Sequence, residues 1–254
     1  MTSALRVSAG YGQLDYALSR IHGLLGRVPP ESTWATLSPI ENITHFVESA
    51  TKHGLGYWLE GIRAAGSVHE IEAALRQRYR DELSRVGHWA PAAFQPLLDW
   101  FAVLPYLDFV GYLHRGEPAH SWMQSDPVLA AWGAEGEGAG VLAELMHGLD
   151  SGGSGRHRVG QNWLAGVYAR LPGEIAALAE ERRFNALVRL MVEAHPVHDA
   201  GLPAEQRVER TLLREAHRRI MTPPLIPLYG LLVYWLLLRL RSELVIRATA
   251  LAGR

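Results

Sequence analysis

The chain has no cysteine among its 254 residues. Disulfides, thiolate zinc sites and cysteine nucleophiles are therefore excluded, and a reducing compartment is allowed. Lysine is almost as scarce. Lys52 stands alone beside 24 arginines, and it is followed by His53-Gly54 rather than by the Ser or Thr a phosphate-binding loop needs. There is no excess of positive charge: 25 Lys+Arg face 26 Asp+Glu, for a formal net charge of -1. Sequence-independent binding to nucleic acid needs a large basic surplus, so that class falls away. No stretch alternates β-branched and polar residues between hairpin signals, which leaves no candidate strand. Residues Met1 to Gly12 lack a basic segment followed by an apolar one, so no signal peptide is expected.

What is present is apolar and helical. Hydrophobic residues make up 48% of the chain and charged ones 20%, enough to bury a core and too apolar for a disordered chain. Helix punctuation recurs. Ser38-Pro39-Ile40-Glu41 places a capping serine before a proline and a glutamate, predicting a helix to about Lys52 that stops at Gly54. Ser67-Val68-His69-Glu70 repeats the capping box, and Ile71, Leu75, Tyr79, Leu83 and Val86 follow at helical spacing up to Gly87. Asp126-Pro127 opens a short helix through Trp132, and Glu174 to Ala194 is a strong helical pattern. Pro203 begins another helix, in which Val208, Leu212, Ala216 and Ile220 fall every fourth residue. The reading is all-α, a single domain over residues 1–254, with a flexible Gly/Ser loop near 148–160.

The C-terminal run is uncharged from Ile220 to Leu238, the length of a membrane span. Pro223, Pro224 and Pro227 crowd its first third. What remains, Leu228 to Leu238, would make about 16 Å of helix, short of a hydrocarbon core of roughly 30 Å. A buried central helix is the reading that follows, with Tyr229, Leu232, Trp235 and Leu236 inside the protein.

A search for reactive groups finds none that converge. Gly152-Gly153-Ser154-Gly155 resembles a nucleophile elbow until Arg156 takes the place of a required glycine, so Ser154 reads as a linker serine. His195 and His198, near Glu193, are separated by Pro196 and read as polar loop residues rather than a metal face. His45, His53 and His147 sit near helix ends, where an imidazole satisfies terminal carbonyls. Asp99 and Asp108 flank a proline-containing aromatic segment and read as caps or ion-pair partners rather than as a glycosidase pair. The eight tryptophans read as core before they read as a pocket.

Charge is unevenly spread. Residues 182–254 hold 12 basic and 6 acidic side chains, whereas residues 1–181 hold 13 and 20. Arg207, Arg210, Arg214, Arg218 and Arg219 cover a broad side of the helix that starts at Pro203, opposite its apolar stripe. Such a face is either solvated or a dock for an acidic partner.

Several segments, taken in order, resemble a known family. Tyr11 to Arg27, containing Ser19-Arg20-Ile21-His22-Gly23-Leu24-Leu25-Gly26-Arg27 and followed by Trp34, is similar to the opening helix of the C/d subunits of V-type rotary ATPases. Ile71-Glu72-Ala73-Ala74-Leu75 and Asp108-Phe109-Val110-Gly111-Tyr112-Leu113-His114-Arg115 resemble two later helices of that family. Pro227, Tyr234, Arg239, Glu243 and Arg247 resemble its closing helix. The chain departs from the family in Val245-Ile246-Arg247, where asparagine-leucine-arginine is usual, and in His22, where a second arginine is usual. The resemblance implies a non-catalytic, funnel-like all-α assembly of related helical bundles in a divergent bacterial member. Such a subunit links the central rotor shaft to the membrane ring and couples ATP turnover to ion transport, proton transport included. It implies no cofactor and no metal, a cytoplasmic position peripheral to the inner membrane, and membrane contact through the complex alone. Partner contacts are then expected at Arg207, Arg210, Arg214, Arg218, Arg239, Arg241, Glu243 and Arg247. Two other classes remain open: an all-α small-molecule-binding enzyme or sensor with an aromatic/His pocket, and a membrane-surface module using the basic, apolar end.

Overall fold

A computed structural model describes residues 2–130, 140–148, 155–173 and 203–252. The described residues are mostly helical and no strand occurs among them, so the all-α reading holds. Where one domain was expected, the chain divides into two compact units: residues 1–91 with 213–254, and residues 92–212.

The first unit is built on long helices from both ends of the chain. Helix α1 spans Thr2–Leu25, α2 Glu31–Leu37 and α3 Ile43–Ala50. The expected cap at Ser38 is not used. Asn42 caps α3 instead, its side-chain oxygen accepting from the His45 backbone N–H at 3.1 Å. The helical path continues as a wide turn, Thr51–Leu55, and breaks where expected, because Gly54 adopts φ 90°, a conformation that favours glycine. Helix α4 follows at Gly56–Leu59.

Helix α5, Val68–Trp89, starts at the capping box read from the sequence. The Glu70 N–H donates to Ser67 Oγ at 3.3 Å, and the Ser67 N–H donates to Glu70 Oε2 at 2.7 Å. These bonds hold the Glu70 carboxyl below its ordinary pKa. The helix passes through Gly87 and ends at Ala90, because a lone glycine weakens a helix without stopping it.

In the second unit, α6 covers Gln95–Phe101, α7 Leu107–His114, α8 Gly140–Met146 and α9 Gly155–Ala169. The first turn of α9 thus occupies the end of the stretch expected as a Gly/Ser loop, and 149–154 lie outside the described residues. Asp126 caps a turn as its position suggested, its Oδ1 accepting from the Val128 N–H at 3.0 Å. The expected end of that helix at Trp132, and the Glu174–Ala194 helix with His195 and His198 after it, also lie outside the described residues.

Helix α10, Pro203–Arg218, begins where Pro203 predicted. Val208, Leu212 and Ala216 are buried along its inner stripe. Helix α11, Leu225–Ala252, corrects the length argument of the sequence. Pro227 falls in the first turn, where its missing N–H costs nothing, so the helix runs for 28 residues, or about 42 Å. It is long and apolar enough to cross a membrane, yet 83% of its most apolar window is buried within the protein. Tyr229, Leu232, Trp235 and Leu236 are all buried, as expected. Helices α1, α3 and α5 pack around α11.

Candidate functional site

The eight residues expected to meet a partner separate into two groups. Arg210, Arg214 and Arg218 are exposed on α10. Arg218 pairs with Glu215 at 2.8 Å, but 62% of its side chain stays open to solvent. The Arg207 side chain lies outside the described residues. The four C-terminal residues are engaged within the first unit instead. Arg239, 4% exposed, forks onto Glu31 with bonds of 3.0 and 2.7 Å and lies 4.3 Å over the Trp34 ring. Arg241 donates Nε–H to Glu72 at 2.7 Å. Arg247 is held by Glu243 at 2.6 Å, lies 4.1 Å from the Phe46 ring centroid, and donates to the carbonyls of Leu37, Ser38 and Ile40. The four residues that the family resemblance offered as partner contacts here clamp α11 to the segments around α2, α3 and α5.

The clearest polar cluster in the first unit was not picked out in the sequence. Glu82, 1% exposed on α5, accepts from the hydroxyls of Tyr57 and Tyr229, each at 2.5 Å. Arg85 stands 3.4 Å from the same carboxylate and also bonds the Tyr57 hydroxyl. The Tyr57 ring is flanked by Arg27 at 4.4 Å and Arg78 at 4.1 Å, measured to the ring centroid. Burial, then the hydrogen bond and charge of Glu82, push the Tyr57 hydroxyl up to about 12. Burial and the same carboxylate raise Tyr229 well above the ordinary tyrosine range. Both hydroxyls therefore stay protonated as donors at neutral pH. The cluster compensates a buried charge with two neutral donors and one cation, which fixes α4, α5 and α11 in register. Glu82 is one of several charged residues buried along α5, with Glu72, Arg76 and Arg78, and its hydroxyl partners lie 25 and 147 residues away, so no local signal marks it.

Other singled-out residues take structural roles. His53 Nδ1 lies 2.8 Å from the Ser49 carbonyl, the helix-end role read from the sequence. His88 and His217 make the same contact with Ser84 and Leu213. Asp99 accepts from Gln95 at 2.7 Å on its own helix. Among the described residues no group of three or more His, Asp or Glu is placed to hold a metal ion. Comparison with protein-family models, curated proteins and solved structures finds no match for this chain.

Proposed function

We propose that this chain is a non-catalytic coupling subunit of a V-type rotary ATPase, seated between the central shaft and the membrane ring on the cytoplasmic side. One observation carries the reading. Ser19–Arg27, Ile71–Leu75 and Pro227–Arg247, three of the segments that resemble the C/d subunits, lie far apart in sequence yet fall on α1, α5 and α11, which pack against one another in the first unit. The clamps at Arg239 and Arg247 and the Tyr57–Glu82–Tyr229 cluster stiffen that bundle, and torque transfer needs stiffness rather than a reactive side chain. Arg210, Arg214 and Arg218 offer α10 as the charged face toward an acidic partner.

Copurification of the tagged full chain from its own cells tests the reading. Rotary ATPase head, shaft and ring subunits should come down with it, and the isolated chain should hydrolyse no nucleotide. Reversing Arg210, Arg214 and Arg218 to Glu should weaken that assembly while leaving the helical circular-dichroism signal and the melting temperature nearly unchanged. Recovery of the chain with no rotary subunit, or with a bound small molecule in their place, would remove the proposal.

A further inference from the structure

Arg78 on α5 presents half of its fork to no acceptor. Only 7% of its side chain is exposed, and its Nη1 donates to Glu60 Oε2 at 3.0 Å. Its Nε and Nη2 are buried and have no hydrogen-bond partner among the described residues. These two N–H groups make up one edge of the planar guanidinium, the edge that grips an oxyanion through two parallel bonds. Elsewhere in the first unit that edge is used: Arg241 directs Nε and Nη2 together onto Glu72. Buried donors without an acceptor weaken a fold, so two of them on one buried cation require an explanation.

The surroundings of Arg78 specify the charge that would answer it. Arg78, Arg27 and Arg85 stand 4.1, 4.4 and 5.3 Å from the centroid of the Tyr57 ring. A ring contact answers the charge of a guanidinium but offers its N–H groups no lone pair. Arg27 is exposed, and its side chain makes no hydrogen bond or ion pair among the described residues. Its backbone is nevertheless fixed at this place, because the Arg27 carbonyl accepts from Trp58 Nε1 at 3.0 Å. Two carboxylates oppose the three cations, Glu82 at Arg85 and Glu60 at Arg78. One positive charge is left over. A monoanion balances it, whereas a phosphate dianion overshoots.

The Arg78 edge is covered from solvent, so entry requires a surface side chain to turn aside. Arg27 has no polar bond to break, and the Glu60 side chain is 74% exposed.

We infer that the Nε–Nη2 edge of Arg78, together with Arg27 at the same tyrosine ring, binds the carboxylate group of a small organic acid. The carboxylate takes both bonds of the fork, and Arg27 supplies the second positive charge. Arg85 stays with Glu82 and the Tyr57 hydroxyl, and Glu60 opposes the ligand by its charge. None of the arginines offered to a rotary partner belongs to this site, so the inference stands apart from that reading.

The test is a titration of the isotopically labelled full chain with sodium acetate, followed by the nuclear magnetic resonance signals of Arg78 Nε–H and Trp58 Nε1–H. Sodium chloride keeps the ionic strength constant, and sodium benzoate and sodium phosphate are the comparison anions. Both signals should move saturably with acetate and with benzoate, at half-saturation of about a millimolar, and phosphate should bind more weakly. Arg78→Lys keeps the charge and removes the fork, so the Trp58 signal should report about tenfold weaker binding. Arg27→Gln changes an exposed side chain, and should weaken binding about tenfold at an unchanged melting temperature. Glu60→Gln removes the opposing charge and should tighten binding. Signals that do not saturate, or that move equally in chloride alone, would overturn the inference. Tighter binding of phosphate than of either carboxylate would overturn it too. Unchanged affinity in Arg27→Gln would place the anion elsewhere, whether or not Arg78→Lys folds.

Discussion

The indoles of Trp100 and Trp163 bond each other's main chain. Trp100 Nε1 donates to the Trp163 carbonyl at 2.8 Å, and Trp163 Nε1 donates to the Trp100 carbonyl at 3.3 Å. Both side chains are fully buried in the second unit, 63 residues apart in sequence. The exchange joins α6 to α9 and satisfies two indole donors that would otherwise be stranded. Arg170 covers the arrangement, 4.1 Å over the Trp100 ring and forked onto Glu144 at 2.9 and 2.5 Å.

The close approach depends on Gly166. A Cβ there would stand 2.2 Å from Cζ2 of Trp100, inside contact distance of a rigid ring. Gly166→Ala should therefore destabilise the second unit by about 1–3 kcal/mol or more, despite the better helix propensity of alanine. Hydrogen exchange should show faster opening of α6 and α9 with α5 and α11 unaffected. Unchanged protection in α9 would mean that the Trp100 ring slides aside freely.

In the first unit the sensitive group is Glu82. Glu82→Ala leaves the Tyr57 and Tyr229 hydroxyls and Arg85 without their acceptor, and should cost about 3–5 kcal/mol in urea unfolding. Tyr229→Phe removes one buried bond and should cost about 1–2 kcal/mol. The pH response has a definite sign. Folding raises the pKa of Tyr57, to about 12, and that of Tyr229, so the native state binds more protons than the unfolded chain above pH 10. Their contribution is complete below pH 10 and is lost as pH rises through the folded values. Stability should decline between about pH 10 and 12, less steeply in Tyr57→Phe. Equal slopes in the two proteins would show that Tyr57 titrates as it does in the unfolded chain.

The sequence was most readable where a signal was local. Ser67 and Glu70 lie within one turn, so the box that starts α5 could be recognised and is used. Pro203 and the Val208–Leu212–Ala216 stripe likewise give α10 its start and inner face. Ser38 misled because Asn42, four residues on, competes for the same helix start and has its own side-chain bond. Pro227 misled because a proline breaks a helix interior but not its first turn. The site is less readable still. Nothing local tells Arg247 from Arg218, yet one is clamped on distant carbonyls and the other is exposed.

The central placement of α11 gives a core test. Leu232 is fully buried in a helix surrounded by α1, α3 and α5. Leu232→Ala should lower stability by about 2–5 kcal/mol, the lost transfer energy plus the cavity left behind. Purified without detergent, the protein should stay monodisperse and show this loss as a shift in the urea midpoint at constant slope. A loss below about 1 kcal/mol would mean that Leu232 does not pack as placed.

Arg247 separates main-chain capping from ion pairing. Its guanidinium donates to Ile40, Ser38 and Leu37 at 2.5, 3.2 and 3.4 Å, closing the chain reversal between α2 and α3. Its pairing with Glu243 is a contact one turn away on the same helix, with 17% of the glutamate side chain exposed. The two roles predict different costs. Glu243→Gln keeps an acceptor and removes a partly solvated charge, so its effect should be about 0.5 kcal/mol. Arg247→Met keeps much of the apolar stem against Phe46 but takes the donor from the Ser38 and Ile40 carbonyls at a partly exposed turn, while Leu37 keeps the Ile40 N–H, which should cost about 1–3 kcal/mol. Arg247→Lys should recover a minority of that loss, because an ammonium cannot span three acceptors in the plane of the fork. Equal losses in Glu243→Gln and Arg247→Met would assign the clamp to the ion pair, and full rescue by lysine would show that charge alone closes the turn.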